Sequence, residues 1–158
     1  QTLIRIKRLI PGGEAPVHIS WARNNRSALV RIPGYKPDKE EACRVELRSP
    51  DSAANPYLAF SAVLAAGLKG IEEELELCPP MEEDSARGLS RQELRARGVG
   101  SLPDTLGEAV ELFAESELMK EVLGEHIHSF LVKVKREEWN EYQRQVSNWE
   151  LDRYLGVL

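Results

Sequence analysis

The chain has 158 residues, 42% of them hydrophobic and 30% charged, with a formal net charge of −5. This length supports one domain with a core of its own and the composition is ordinary for a soluble globular chain; no run of eighteen apolar residues and no signal-peptide pattern points to a membrane span or to secretion. Cys43 and Cys78 are widely spaced and form no Cys-x-x-Cys arrangement, so a reduced, cytoplasmic compartment is expected.

Charge is split along the chain. Residues 1–50 carry ten Lys or Arg against five Asp or Glu, whereas residues 51–158 carry eleven against twenty-one. The basic residues stand singly among apolar ones and the acidic remainder repels a phosphate backbone, so small anionic ligands match better than nucleic acid. His18, His126 and His128 offer no metal-ligand spacing, since residues two apart diverge on a helix.

Three short runs read as strands, Val17–Trp21, Ala28–Ile32 and Arg44–Arg48. Pro33-Gly34-Tyr35-Lys36-Pro37-Asp38 between the last two is turn chemistry and predicts an antiparallel connection through an exposed loop. Asn55 before Pro56 predicts an N-cap with proline at the first helical position. The helix it opens is expected to run to about Leu77, stopped by Pro79-Pro80. Its first half, Tyr57–Leu68, is apolar almost all round and expected to be buried; its second half carries Glu72, Glu73, Glu74 and Glu76 and reaches solvent.

Residues 78–103 read as a polar linker with a short helix capped by Ser90, Glu93 standing three residues on. Thr105 with Glu108 predicts a capping box that opens a helix to Leu123, which Gly124 terminates. A second helix from Glu125 carries Ile127, Phe130, Leu131, Val134, Tyr142 and Val146 at helical spacing, and the pair is expected to pack against the sheet. Trp149, Leu151, Tyr154, Leu155, Val157 and Leu158 put bulky apolar groups at the chain end, where polar fraying is usual. They fit either a last helical turn docked on its own subunit or an association surface.

The chemistry concentrates in the first third. On an extended strand the period of two points Arg44, Glu46 and Arg48 to one face, and Arg26 and Arg31 flank the apolar run Ser27–Val30 upstream. Four arginines and one carboxylate suit a polyphosphate with its metal: guanidinium forks bind phosphate and carboxylate oxygens bidentately, and a lone acidic side chain among them suits a cation. Periodicity alone also fits solvated strands with cross-strand ion pairs.

Four ordered blocks add to this reading: K-R-L-x-P-G-x-E-A-P from Lys7, N-R-S-A-x-x-R-I-P from Asn25, R-x-E-x-R-x-P-D from Arg44 and N-P-Y-L-A-F from Asn55. Together they resemble glutamine synthetase of the prokaryotic type I kind, in the C-terminal part of its catalytic domain, from about Lys7 to the C-terminus. The resemblance implies an ATP-dependent glutamate–ammonia ligase using Mg2+ or Mn2+. Arg8 would hold the substrate glutamate, and Glu14 would lie on a flap that closes over the site and takes a proton from ammonium. Arg26 and Arg31 would act on the transferring phosphoryl group, Arg44 at the nucleotide phosphates, Glu46 as a metal ligand and Arg48 at the substrate γ-carboxylate.

The same resemblance implies an α+β fold, with a few-stranded, antiparallel-type sheet in the N-terminal third and a mostly helical C-terminal two-thirds. Residues 1–158 would form the C-terminal part of one catalytic domain, with 78–103 a linker within it. The family's N-terminal β-grasp domain, most of its metal-binding glutamates and a metal-binding histidine belong upstream of Arg8, so this chain alone is expected to be inactive. Ile4, Arg5 and Ile6 stand where type I enzymes read Asn-Ser-Tyr. Glu82–Arg87 contains no tyrosine, which argues against control by tyrosine adenylylation. Family subunits end in a helical segment that inserts into the opposite ring of a double hexamer, so a homo-oligomer using Trp149–Leu158 is implied. A non-enzymatic assembly or binding module with this fold, and a related γ-glutamyl-amine ligase, are the alternatives.

Overall fold

The computed structural model describes residues 2–9, 15–34, 36–82 and 91–157. Small strands fill the first third: β1 (His18–Ile19), β2 (Trp21–Ala22), β3 (Val30–Arg31) and β4 (Glu46–Leu47), with a 3-10 turn at Glu40–Ala42 before β4. β3 and β4 pair antiparallel, Val30 opposite Leu47 and Arg31 opposite Glu46, as the turn chemistry between them requires. The sheet is mixed, because β2 runs parallel to β3 in the register Trp21–Val30 and Ala22–Arg31. β1 leaves this sheet and pairs antiparallel with β5 (Gly100–Ser101), a strand inside the segment read from sequence as linker.

Helices make up most of the remainder, and a short α1 (Leu3–Ile6) precedes the sheet. α2 (Pro56–Glu72) starts as expected: Asn55 Oδ1 accepts from the amides of Tyr57 at 3.0 Å and Leu58 at 3.3 Å. It stops short of Leu77, with Glu74 in the left-handed region at φ 50°. Carboxylates crowded at Glu72–Glu74 oppose the negative C-terminal end of the helix dipole, which favours the early stop.

Burial of α2 is a correction to the sequence reading. None of its residues is buried, and Tyr57 and Phe60 are 81% and 73% exposed. An all-round apolar composition specifies that a helix be covered, but among the described residues α5 (Glu117–Gln143) is the principal helix packed on it. The half-buried side is built of Leu58, Ala59, Ala62 and Ala65.

α3 (Arg91–Ala96) is the expected short helix, although Ser90 lies outside the described residues. α4 (Leu106–Ala114) opens on Thr105, whose Oγ1 accepts from Glu108 N at 3.1 Å, while Glu108 Oε2 accepts from Asp104 N at 2.9 Å. The helix predicted to continue to Leu123 ends at Ala114, because Ser116 caps a new one: its Oγ accepts from Met119 N at 3.3 Å and opens α5. Gly124 interrupts α5 at φ 72° and ψ 156°, a conformation that favours glycine. α6 (Asn148–Tyr154) has a full capping box between Ser147 and Glu150.

Further expectations change. α5 ends at Gln143, so Val146 lies beyond it, and the buried positions are His128 and Val132 while Ile127 and Phe130 are exposed. His128 stacks on Phe113 with ring centroids 4.9 Å apart and bonds its Nε2 to Phe113 O at 3.0 Å. The core of the α4–α5 pair also holds no strand residue: Ile6 of α1, Leu106, Val110 and Val132 form the cluster, with Leu3, Phe113 and Trp139 against it, while α2 packs on α5. An amphipathic pair needs an apolar cover, and Ile6 and Leu3 of α1 supply part of it where the sheet was expected.

Candidate functional site

The β3–β4 pairing builds the site. Antiparallel register puts Arg31 directly opposite Glu46, and Arg31 Nη1 meets Glu46 Oε2 at 3.2 Å. Arg44, two residues before Glu46 and on the same face, donates from Nε at 3.1 Å and Nη2 at 2.9 Å to Oε1. Each carboxylate oxygen therefore carries one guanidinium. Partial desolvation pushes the Glu46 carboxyl up, but the hydrogen bonds and charges of Arg44 and Arg31 outweigh it and the pKa is lowered. Arg48 follows at the next position of this face; it is half-buried, and its amide donates to Leu29 O at 2.9 Å. Two guanidinium groups on one ionised carboxylate, with Arg48 at the next position of the strand face, leave this face net positive and suited to an anion.

Arg26 lies in the exposed 26–27 turn between β2 and β3. Asn25 shapes that turn, accepting from Ser27 N at 2.8 Å and donating from Nδ2 to Met81 O at 2.9 Å. Glu82 accepts from the amides of Arg23 and Asn24 at 3.1 and 3.2 Å, and Trp21 Nε1 donates to Cys78 O at 2.6 Å. Residues 78–82 thus moor the loop that carries Arg26. Sequence reasoning missed this role, although Asn25 two residues before Ser27 is an Asx-turn signature.

Arg8 is exposed in the turn after α1. Asp51 ties α1 to the end of the β4 segment: Oδ2 accepts from Thr2 N at 2.7 Å and Thr2 Oγ1 at 2.8 Å, and Oδ1 accepts from Ala53 N at 2.9 Å. Partial burial raises the Asp51 carboxyl, but bonds from Ala53 and Thr2 prevail and its pKa is lowered. Glu14 lies outside the described residues. So the chain brings Arg31, Arg44 and Glu46 into contact, with Arg48 at the next position of that strand face, and carries Arg8 and Arg26 on two separate exposed turns.

The donor set fits a hard divalent cation at Glu46 as one ligand among several. Its oxygens are ionised and of the type such cations take; the buried Arg31 Nε, which lacks a hydrogen-bond partner among the described residues, is a donor and bears on an anion instead. No cluster of three or more possible metal ligands occurs among the described residues.

A small mixed sheet bearing this arginine-rich, carboxylate-centred face, followed by a helical region, defines an α+β domain suited to phosphorylated or carboxylated anions. Comparison with known proteins gives the family: the one described as "Glutamine synthetase, catalytic domain" matches residues 5–154. The chain belongs to it. Glutamine synthetase of Mycolicibacterium smegmatis is 50% identical over 151 residues, covering 96% of this chain and 34% of that protein. The Methanosarcina mazei enzyme is 47% identical over 152 residues, covering 96% and 33%. A solved structure described as a GmaS/ADP complex superposes with a TM-score of 0.74 at 36% identity, covering 90% of this chain and 30% of that one. Plasmodium falciparum glutamine synthetase gives 0.79 at 20% identity, over 97% and 37%, and so shares the fold. The chain spans about a third of the length of the curated relatives it matches.

Proposed function

We infer that this chain is the C-terminal part of the catalytic domain of an ATP-dependent glutamate–ammonia ligase, residues 1–158 forming one unit with 78–103 a segment within it. The observation that carries the reading is Glu46 held between Arg31 and Arg44 in a chain matched to the glutamine synthetase catalytic domain over residues 5–154.

The chemistry follows from what the residues can do. Making an amide from a carboxylate and ammonia requires the carboxylate oxygen to become a leaving group, which phosphorylation by ATP achieves. Arg26 and Arg31 stabilise charge that develops on the transferring phosphoryl oxygens, and Arg44 orients the nucleotide phosphates. Arg8 and Arg48 bind glutamate, the second at its γ-carboxylate. Glu14 accepts the proton that ammonium loses. Glu46 would hold the divalent cation, Mg2+ or Mn2+, which when bound neutralises phosphate charge. When polyphosphate enters, Arg31 and Arg44 transfer hydrogen bonds from Glu46 to phosphate oxygens and free carboxylate lone pairs.

The partners in this reading are glutamate, ammonium, ATP and further copies of the subunit. Free Cys43 and Cys78, and the lack among the described residues of a helix long and apolar enough to cross a membrane, support a cytoplasmic assignment. The retained acid and arginines favour the ligase over a non-enzymatic module.

Glu46 supplies one metal ligand where several are needed, so the chain alone is inactive. Assay of glutamine formation with manganese and ATP tests this: the complete enzyme turns over and the isolated chain does not. Turnover by the chain at rates near those of the complete enzyme overturns the reading.

A further inference from the structure

Arg8 stands on a turn whose other residues are all held. Leu9 N donates to Ile6 O at 2.9 Å and closes Ile6–Leu9. Both ends are buried, Ile6 in the core cluster with Leu106, Val110 and Val132, and Leu9 at 3% exposure. At the tip, Lys7 places its ammonium 4.6 Å from the ring centroid of Tyr142. Tyr142 is backed in turn by Trp139, 5.7 Å away between ring centroids, which packs on the same core. Arg8 is the remaining tip residue and is exposed. Behind the turn, Asp51 grips Thr2 through two hydrogen bonds and so links α1 to the segment that carries Arg48.

We propose that Tyr142 is a positioning residue for glutamate recognition: its cation–π contact with Lys7 fixes the turn from which Arg8 reaches the substrate. This rests on the reading of Arg8 as a substrate-binding arginine. A guanidinium on a long flexible stem recognises a carboxylate only where its backbone is held, because freedom left at the turn is lost again on binding. The ring face attracts the ammonium and removes that freedom at Lys7, adjacent to Arg8. Tyr142 lies far from the arginine cluster in sequence, and its contribution is to the geometry of Arg8 alone.

The test uses the complete enzyme with glutamate and ATP varied separately. Lys7→Met, which removes the cation but keeps the stem, and Tyr142→Leu, which removes the ring, are expected to raise the glutamate KM about threefold to fivefold, the scale of an exposed cation–π contact. The ATP KM stays unchanged, and Lys7→Arg and Tyr142→Phe restore the wild-type value. Added to Arg8→Ala, neither Lys7→Met nor Tyr142→Leu has a further effect, since the residue they position is gone. Full additivity with Arg8→Ala, or a parallel rise in the ATP KM, overturns the proposal. If Arg8→Ala raises the glutamate KM and Lys7→Met does not, the positioning role alone is overturned; if Arg8→Ala leaves it unchanged, the substrate role of Arg8 falls and the proposal with it. Lys7→Met is a surface change, so a folding failure of Tyr142→Leu does not decide the result.

Discussion

Arg31 and Glu46 are Cα partners across β3–β4 and ion-paired at 3.2 Å, so a backbone register sets the distance between a guanidinium and the carboxylate it serves. Arg44 completes the arrangement from the same strand face at 2.9 Å. The cluster is therefore a property of strand pairing, and a one-residue slip would turn Glu46 to the other face.

A pH dependence of definite sign follows. The folded pKa of Glu46 is lowered from 4.5 and that of Asp51 from 3.8. Both carboxylates contribute stability that is fully present above those ordinary values and is lost as pH falls through the lowered folded ones. Acid titration of the two carboxyl resonances by NMR should place both midpoints below the ordinary values, and Arg44→Ala should move that of Glu46 upward. A Glu46 midpoint unmoved by Arg44→Ala would contradict the assigned pairing.

Gly107 tests the packing of α4 on α5. A Cβ there would lie 2.5 Å from Trp139 Nε1 and 2.8 Å from Cε2, so the indole or the helix must shift. Gly107→Ala should destabilise by about 1–3 kcal/mol, the usual cost of overpacking, despite the better helix propensity of alanine. Denaturant unfolding measures it, and Trp139→Phe in the same chain should recover part of the loss.

Removing the α4 cap by Thr105→Ala takes the acceptor from Glu108 N and should cost about 1 kcal/mol. A fall in thermal midpoint of roughly 2–4 °C is expected for a chain of this size. Circular dichroism on heating measures it.

Caps and turns were the most legible part of the sequence, because Asn55-Pro56, Thr105 with Glu108 and Gly124 act through atoms within four residues of one another. The site strand was legible for a related reason: alternation alone brings Arg44 and Glu46 together, and the loop before them dictates antiparallel pairing with β3. What failed depended on distant partners. Pattern cannot say that Ile6 of α1 joins the core of the α4–α5 pair, that His128 replaces Ile127 at the buried position, or that Met81 and Glu82 moor the loop bearing Arg26. α2 reads as buried because its residues require a cover, whatever the described residues provide.

The tail adds a prediction about assembly. Trp149, Tyr154, Leu155 and Val157 are exposed although α6 is fully capped, and this end is expected to form an association surface. Burial at about 25 cal/mol per Å² makes such groups a source of several kcal/mol in a self-contact. Deleting Asp152–Leu158 should lower the assembly state by light scattering and leave the helical dichroism nearly unchanged. An unaltered state would place the tail outside the interface, and collapse of the fold would place it in its own subunit's core.

A role of the arginines around Glu46 in phosphoryl transfer is decided by kcat measured against KM for Arg31→Ala in the complete enzyme. A group that stabilises developing charge lowers kcat by about 10²–10³ when removed, with little change in the glutamate KM. Arg26→Ala should behave alike, whereas Arg48→Ala should also raise the glutamate KM. Intact turnover in Arg31→Ala with only a raised substrate requirement would contradict the account.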